Sequence, residues 1–166
     1  SQQYKVIGLT SSNNAEFVKG LGCYDQVLTY DEVNKLDVEQ TSAIIDFAGN
    51  GELLSKLHAA LNTQLQYSCL VGVSHWDQRG GLPKDLPGPA PQMFFAPGQA
   101  QKRIKDWGGA EFQRRMTEVW ISFTAFVNRW IQIEDIQGPD AITQTYQRVL
   151  EGKSQPAIAY TLSLRE

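Results

Sequence analysis

The first half of the chain alternates between short apolar runs and stretches with apolar residues at helical spacing. Near-continuous apolar runs are typical of strands that are buried on both faces of a sheet. Such runs predict strands at residues 4–10, 26–30, 43–48 and 68–74. Between them, apolar spacing predicts a short helix around Phe17, with Asn13 or Asn14 as its cap, and a leucine-rich helix over residues 52–66.

The second half departs from this rhythm. Residues 77–91 are rich in glycine and proline, which predicts a long loop that is either an active-site lid or disordered. A helical insertion follows at about residues 97–131 and is broken at Gly108. A helix over 139–150 and a strand over 157–162 complete the chain.

An apolar stripe runs along the second helix of the insertion, from Phe112 to Trp130. The spacing favours burial of this stripe in the core. A face this wide is also suited to covering a substrate pocket or to forming a subunit interface. The sequence leaves these alternatives open.

Strands joined in turn by helices indicate an α/β fold with a doubly wound, mostly parallel sheet. The 166 residues, 42% of them apolar, suffice for one ordinary domain, so we predict a single Rossmann-like domain over residues 1–166.

Charge and cysteine content exclude several functions. Fifteen basic residues face 18 acidic ones without a basic run, which argues against a nucleic-acid partner, and no apolar stretch is long enough to predict a membrane span. Cys23 and Cys69 have no metal-site spacing and form no disulfide framework. We therefore expect a protein of the cytoplasm that has no metal site and whose two cysteines are small buried residues.

Five segments of the chain carry a resemblance to a known superfamily. They are residues 5–13 (KVIGLTSSN), 17–25 (FVKGLGCYD), 27–30 (VLTY), 44–50 (IIDFAGN) and 141–153. Together they resemble the nucleotide-binding domain of the medium-chain dehydrogenase/reductase superfamily, in its zinc-independent, quinone-oxidoreductase-like members. The remaining segments point to an uncharacterised branch of unknown function.

The resemblance implies that a first strand and a glycine-rich turn should precede residue 4. In dinucleotide-binding sheets that turn holds the pyrophosphate at a helix N-terminus. The chain has no G-x-G-x-x-G spacing. We therefore expect a cofactor-domain fragment that is N-terminally incomplete.

The resemblance also implies which residues meet the cofactor. The turn after the first predicted strand, Thr10, Ser11, Ser12 and Asn13, would lie at the adenosine ribose. Because this turn lacks a carboxylate, the resemblance implies NADP(H) rather than NAD(H). An alternative is that these residues only cap the helix that follows.

Two further strand ends would lie near the nicotinamide. The resemblance places Ala48, Gly49, Val73 and Ser74 there, whereas we expect Asp46 only to be held by backbone donors of its turn. The strand predicted at 68–74 is followed by His75 and Trp76, and we predict that these two residues face the nicotinamide or the substrate. His75 is either a general acid or an ordinary polar loop residue, and no catalytic residue is assigned, because hydride transfer is the chemistry of the cofactor.

Two functions follow from these expectations. The first is part of an NADP(H)-dependent, zinc-free reductase of a small carbonyl or quinone-like substrate, inactive as this chain alone. The second is a non-enzymatic Rossmann-like interaction or assembly domain, because a parallel sheet edge without its first strand invites pairing with another chain. We expect that a homo-oligomer would form through that sheet edge or through the apolar helix at residues 110–130.

Overall fold

The computed structural model describes residues 4–72 and 85–165. The chain divides into two compact units, residues 1–108 and residues 109–166. That the whole chain forms a single domain stays a prediction.

The first unit contains two groups of parallel strands. One is a pair and the other has three strands, in the order β3, β4, β5. The strands are β1 (Ile7–Thr10), β2 (Gln26–Thr29), β3 (Ser42–Asp46), β4 (Leu65–Leu70) and β5 (Gln92–Met93). The predicted strands 26–30 and 43–48 lie within two residues of β2 and β3. The strand predicted at 68–74 instead begins at Leu65, because the leucine spacing that predicted a longer helix continues into β4.

Helices alternate with these strands, so the predicted α/β alternation is confirmed. α1 (Ala15–Gly20) connects β1 to β2, α2 (Gly51–Leu61) connects β3 to β4, and α3 (Ala96–Trp107) follows β5. Short 3-10 turns lie at Ser12–Asn14, Tyr30–Lys35 and Asn62–Gln64. α3 ends where Gly108 adopts φ 84°, a left-handed conformation that side chains rarely accept.

The core of the first unit lies on one face of β3 and β4, beneath α2. Buried leucines of α2, including Leu54 and Leu57, pack with Ile44 of β3 and Leu70 of β4. Leu9 of β1 packs against the same cluster. We call this the inner face of the sheet, and it brings β1 and β3 onto one core.

One polar pair lies inside this core. His58 of α2 and Ser68 of β4 are fully buried, and His58 Nε2 lies 2.9 Å from Ser68 Oγ. His58 Nδ1 lies 2.8 Å from the carbonyl oxygen of Pro87. His58 therefore lies inside the core, with a hydrogen-bond partner on each side of its ring.

The opposite face of β3 and β4, which we call the outer face, is apolar and open. Ile45 and Phe47 are 62% and 66% exposed. A groove of about 450 Å³ runs along this face and is lined by Ile45, Phe47, Tyr67, Cys69, Val71, Phe94 and Gln99. Side chains alternate between the faces of a strand, so the residues beside those of the core necessarily form this surface.

The second unit is built from α4 (Gly109–Val127), β6 (Gln132–Gln137), α5 (Pro139–Leu150) and β7 (Ile158–Ser163). β6 and β7 pair in parallel along six residues each. The sequence did not predict β6, because five of its six residues are exposed and it therefore lacks the apolar run of a buried strand. α5 and β7 match their predicted positions within one residue.

The predicted insertion at 97–131 is two separate helices, α3 and α4. No residue of α4 is buried. Of its apolar stripe, Val119 and Trp120 are 66% and 64% exposed. The residues at the two ends of the stripe are half-buried, so the core interpretation is wrong for its exposed middle. No helix of the described ranges is long and apolar enough to cross a membrane.

Candidate functional site

The segments at the carboxyl ends of β2 and β3 share one core in the first unit. Tyr30 follows β2 directly, and Asp46 is the last residue of β3. Val33, in the 3-10 turn that begins at Tyr30, packs in the same cluster as Ile44 of β3. Burial raises the pKa of the Tyr30 hydroxyl, and the carboxylate of Asp46 raises this pKa further. Open parallel sheets bind ligands at the carboxyl ends of their strands, so we take this edge as the candidate site.

The turn after β1 carries four small or amide side chains. Ser12–Asn14 form a single 3-10 turn, in which the backbone N–H of Asn14 donates to the carbonyl oxygen of Ser11 at 3.0 Å. Neither Ser11 nor Asn14 makes a side-chain capping bond at the helix that follows it. Among the described residues, these two cap positions therefore have no side-chain cap. Whether the turn also binds a ligand stays a prediction.

The first charged residues after this turn are already engaged. Glu16 and Lys19 form an exposed ion pair at 2.9 Å on α1. The side-chain hydrogen bond between them lowers the pKa of Glu16 and raises that of Lys19. The turn itself therefore presents only neutral polar groups.

Asp46 organises the turn after β3. Its Oδ1 accepts hydrogen bonds from the backbone N–H groups of Ala48 and Gly49, at 2.9 and 3.0 Å. Asn50 Oδ1 accepts from the N–H of Leu53 at 3.1 Å and caps α2. This confirms the expectation that backbone donors hold Asp46. Its second oxygen, Oδ2, is buried and has no hydrogen-bond partner among the described residues.

The end of β4 closes tightly over the end of β3. The N–H groups of Val71 and Gly72 both donate to the carbonyl oxygen of Asp46, at 2.8 and 3.3 Å. A Cβ atom on Gly72 would lie 2.5 Å from the carbonyl oxygen of Phe47. Only glycine therefore fits here, and the two strand ends form one edge of the site.

The structure brings some of the predicted site residues together. Thr10, Ser11, Ser12 and Asn13 form one turn, and Ala48 and Gly49 form another, each at a strand end. Val73, Ser74, His75 and Trp76 lie outside the described residues.

Sequence reasoning missed Tyr30, which was included in the predicted strand 26–30. The rule that ligands meet the carboxyl ends of strands, applied to β2 as it was to the other strands, would have found it. A tyrosine hydroxyl is protonated at neutral pH and can donate a hydrogen bond, and burial, followed by Asp46, raises its pKa further.

The model of one protein family, described as "Protein of unknown function (DUF2855)", matches residues 1–155. The chain belongs to the DUF2855 family. No curated protein matches this sequence. The expected membership of an uncharacterised branch is consistent with this family, whose description states no function.

This DUF2855 chain is similar in fold to a solved structure. It is CurA from Vibrio vulnificus, crystallised in complex with NADPH, with a TM-score of 0.58 and 15% sequence identity. The match covers 98% of this chain and 50% of CurA, so the chain spans about half the length of that protein. The Rossmann-like α/β fold is thereby confirmed.

Proposed function

We propose that this DUF2855 chain is part of the cofactor-binding domain of an NADP(H)-dependent, zinc-free reductase that acts on a small carbonyl or quinone-like substrate. The observation that carries the proposal is the turn after β1. In the described part of the chain Ser11 makes no side-chain capping bond, and the turn over residues 10–13 has no carboxylate that would repel a 2′-phosphate. The likeness to an NADPH-bound protein supports the same cofactor.

The residues of the chain have distinct roles in this proposal. Thr10, Ser11, Ser12 and Asn13 hold the adenosine ribose and its 2′-phosphate. The residues assigned to the nicotinamide are Ala48, Gly49, Val73 and Ser74. His75 and Trp76 face the substrate. Because parallel sheets bind ligands at the carboxyl ends of their strands, these positions converge on one crevice.

The reaction itself needs little from the protein's side chains. Bound NADPH supplies the hydride, and the protein supplies binding, orientation and exclusion of water. The Tyr30 hydroxyl, whose pKa is raised by burial and by Asp46, is the group at this edge that would donate a hydrogen bond to a ligand. Because the chain spans half the length of CurA, we propose that the chain alone is inactive and that activity belongs to a longer protein of the cytoplasm.

A nucleotide titration tests the proposal. NADPH and NADH are added separately to this chain and to a longer chain that includes its preceding residues, and quenching of the four tryptophans is followed together with energy transfer to the nicotinamide. We expect saturable binding to the longer chain that favours NADPH. Binding of neither nucleotide by the longer chain, or equal binding of both, would contradict it.

A second function has one observation in its favour. Among the residues described, β1 and β3 each pair on one side only, and an unpaired parallel edge can bind another strand. A non-enzymatic interaction or assembly domain would use this edge, or the exposed stripe on the helix at residues 110–130, to form a homo-oligomer. It predicts oligomers without nucleotide affinity, whereas a strictly monomeric chain in sedimentation would exclude it.

A further inference from the structure

The turn that follows β3 contains a chemically reactive pair of residues. Asn50 is the one asparagine of the chain that is followed by a glycine, Gly51. The backbone nitrogen of the residue after an asparagine can attack the side-chain carbonyl carbon. Glycine permits this attack best, because it has no Cβ that obstructs the approach or restricts the backbone. Both residues are partly exposed, so water and hydroxide can reach them.

The reaction would convert the amide of Asn50 into a carboxylate. The nitrogen of Gly51 forms a bond with Cγ of Asn50, and the bond from Cγ to Nδ2 breaks, so that ammonia leaves with the proton of the Gly51 N–H. Water then adds to one of the two carbonyl carbons of the five-membered imide. Opening at Cγ gives aspartate, whereas opening at the main-chain carbon gives isoaspartate, and no atom is oxidised or reduced.

The folded geometry holds the two reacting atoms apart. The imide ring closes only when the nitrogen of Gly51 nearly eclipses Cβ of Asn50, which needs a strongly negative ψ at Asn50. The observed ψ is 102°. In addition, Asn50 Oδ1 accepts from the N–H of Leu53 at 3.1 Å, and this bond fixes the side chain at the start of α2.

The peptide groups on both sides of Gly51 are fixed as well. The N–H of Leu54 donates to the carbonyl oxygen of Asn50 at 2.9 Å. The Ser55 hydroxyl donates to the carbonyl oxygen of Gly51 at 2.8 Å. Leu54 is 2% exposed and belongs to the core cluster. Rotation about ψ of Asn50 therefore breaks a hydrogen bond whose donor residue is anchored in the core.

We propose that Asn50 and Gly51 form a deamidation site that reacts only when the first turn of α2 opens. The closed turn protects an intrinsically labile bond, and each opening exposes it to attack. Deamidation thus accumulates in molecules according to how often this turn opens. The inference concerns the chemistry of the chain itself and does not rest on nucleotide binding.

The two products differ in their effect on the candidate site. Aspartate is as good an N-cap as asparagine, and its charge is favourable at a helix N-terminus, so α2 stays capped. Isoaspartate instead routes the main chain through an additional methylene group, directly after Gly49. The N–H of Gly49 is held by Asp46 Oδ1 at 3.0 Å. Formation of isoaspartate therefore displaces the turn that Asp46 organises.

Peptide mass spectrometry tests the proposal. The protein is incubated at mildly alkaline pH, folded and in urea, because a base must remove the proton of the Gly51 N–H. Cleavage after lysine releases residues 36–56, in which Asn50 is the only asparagine. We expect conversion in the folded protein to be at least about tenfold slower than in urea, because local opening is rare under native conditions. Asn62 precedes the β-branched Thr63, is the internal reference and should react far more slowly in urea.

Three variants separate the chemistry from the opening. Gly51→Ala, at the first position of α2, should slow conversion in urea at least about fivefold, because its methyl group obstructs the attack. Leu54→Val shortens the anchor by one methylene and should speed conversion in the folded protein by about three- to tenfold. Leu28→Val, in β2, is the matched control. It removes the same group from a side chain that is 5% exposed, and it should leave the folded rate nearly unchanged.

Three results would overturn the proposal. One is equal conversion of Asn50 in the folded protein and in urea, which would show that the closed turn gives no protection. Another is conversion in urea that is as slow at Asn50 as at Asn62. The third is an equal rate in folded Leu54→Val and Leu28→Val, because the opening of the first turn of α2 would then not control the reaction.

Discussion

His58 Nε2 lies 2.9 Å from the hydroxyl of Ser68, and both residues are fully buried. On the other side of the ring, Nδ1 faces the Pro87 carbonyl at 2.8 Å, and a carbonyl can only accept. Nδ1 therefore carries a hydrogen and donates it to Pro87, while Nε2 and the Ser68 hydroxyl share the second hydrogen bond. The ring joins α2, β4 and the segment around residue 87.

Replacing His58 by leucine should lower the free energy of unfolding by about 2 to 4 kcal/mol, because a buried hydroxyl and a buried carbonyl both lose their partner. Urea unfolding measures this. Adding Ser68→Ala to His58→Leu should recover part of the loss, since one orphaned group is then removed. A double variant as unstable as the sum of the two single variants would show that the two side chains are not coupled.

Gly72→Ala should destabilise the protein by about 1 to 3 kcal/mol, because the new Cβ would lie 2.5 Å from a backbone oxygen that cannot move aside alone. Gly20→Ala is the matched control. Gly20 ends α1 with no atom within 4 Å of its built Cβ, so alanine there should be neutral or stabilising. The stabilities of the two variants are compared by their denaturant midpoints, and equal midpoints would exclude the steric argument.

Asn50→Ala should cost about 1 kcal/mol in unfolding free energy, since Asn50 Oδ1 caps α2 through the N–H of Leu53. Asn14→Ala at the start of α1 should change stability by less than about 0.5 kcal/mol, because the Asn14 side chain makes no capping bond. Thermal melts of both variants compare two asparagines at equivalent helix positions. A larger loss at Asn14 would contradict the description of both caps.

Glu32 gives a prediction for the dependence of stability on pH. The side-chain hydrogen bond from Lys35, followed by the backbone N–H of Thr29, lowers the pKa of Glu32 to about 2. A group with a depressed pKa stabilises the fold above its unfolded value of about 4.3 and loses this effect as the pH falls toward 2. Glu32→Gln should therefore lower the melting temperature at pH 7 and match the unmodified chain near pH 2.

The control for this series is Glu39→Gln, because the Glu39 side chain makes no hydrogen bond in the described part of the chain. Its melting temperature should follow that of the unmodified chain from pH 7 to pH 2. A constant gap between Glu32→Gln and the unmodified chain across this range would show that the carboxylate is not the cause.

Ser11→Asp should turn the nucleotide preference of the full-length protein from NADPH toward NADH by about tenfold or more, because a carboxylate there repels a 2′-phosphate and accepts from ribose hydroxyls. The measurement is the ratio of the two dissociation constants. Gln66→Asp, an exposed position on β4 of the first unit, adds the same charge outside the turn and should leave the ratio unchanged. An unaltered NADPH preference in Ser11→Asp would remove Ser11 from the proposed site.

The sequence predicted most of the elements because their patterns are local. β2, β3 and α5 lie within about two residues of their predicted ranges, since apolar runs and a helix-starting proline mark them. The sequence did not predict β6, because an exposed strand has no apolar run. Cys23 is exposed although burial was expected, whereas Cys69 is buried as predicted.

The candidate site was predictable only in part. The turns at Thr10–Asn13 and at Asp46 follow from strand ends and turn residues, which the sequence displays. The nearness of Tyr30 to Asp46 depends on how two sheets pack, and the clash at Gly72 depends on a backbone approach between strands. Neither relationship has a counterpart in residue spacing.

The two thiols differ in solvent accessibility, so their rates of modification report how often the structure opens locally. Cys23 is accessible, whereas Cys69 is 5% exposed in β4. A bulky thiol reagent should therefore modify Cys23 at once and Cys69 only during the moments when β4 separates from its neighbours. The slow phase of labelling therefore measures how often the central strand of the three-stranded sheet opens.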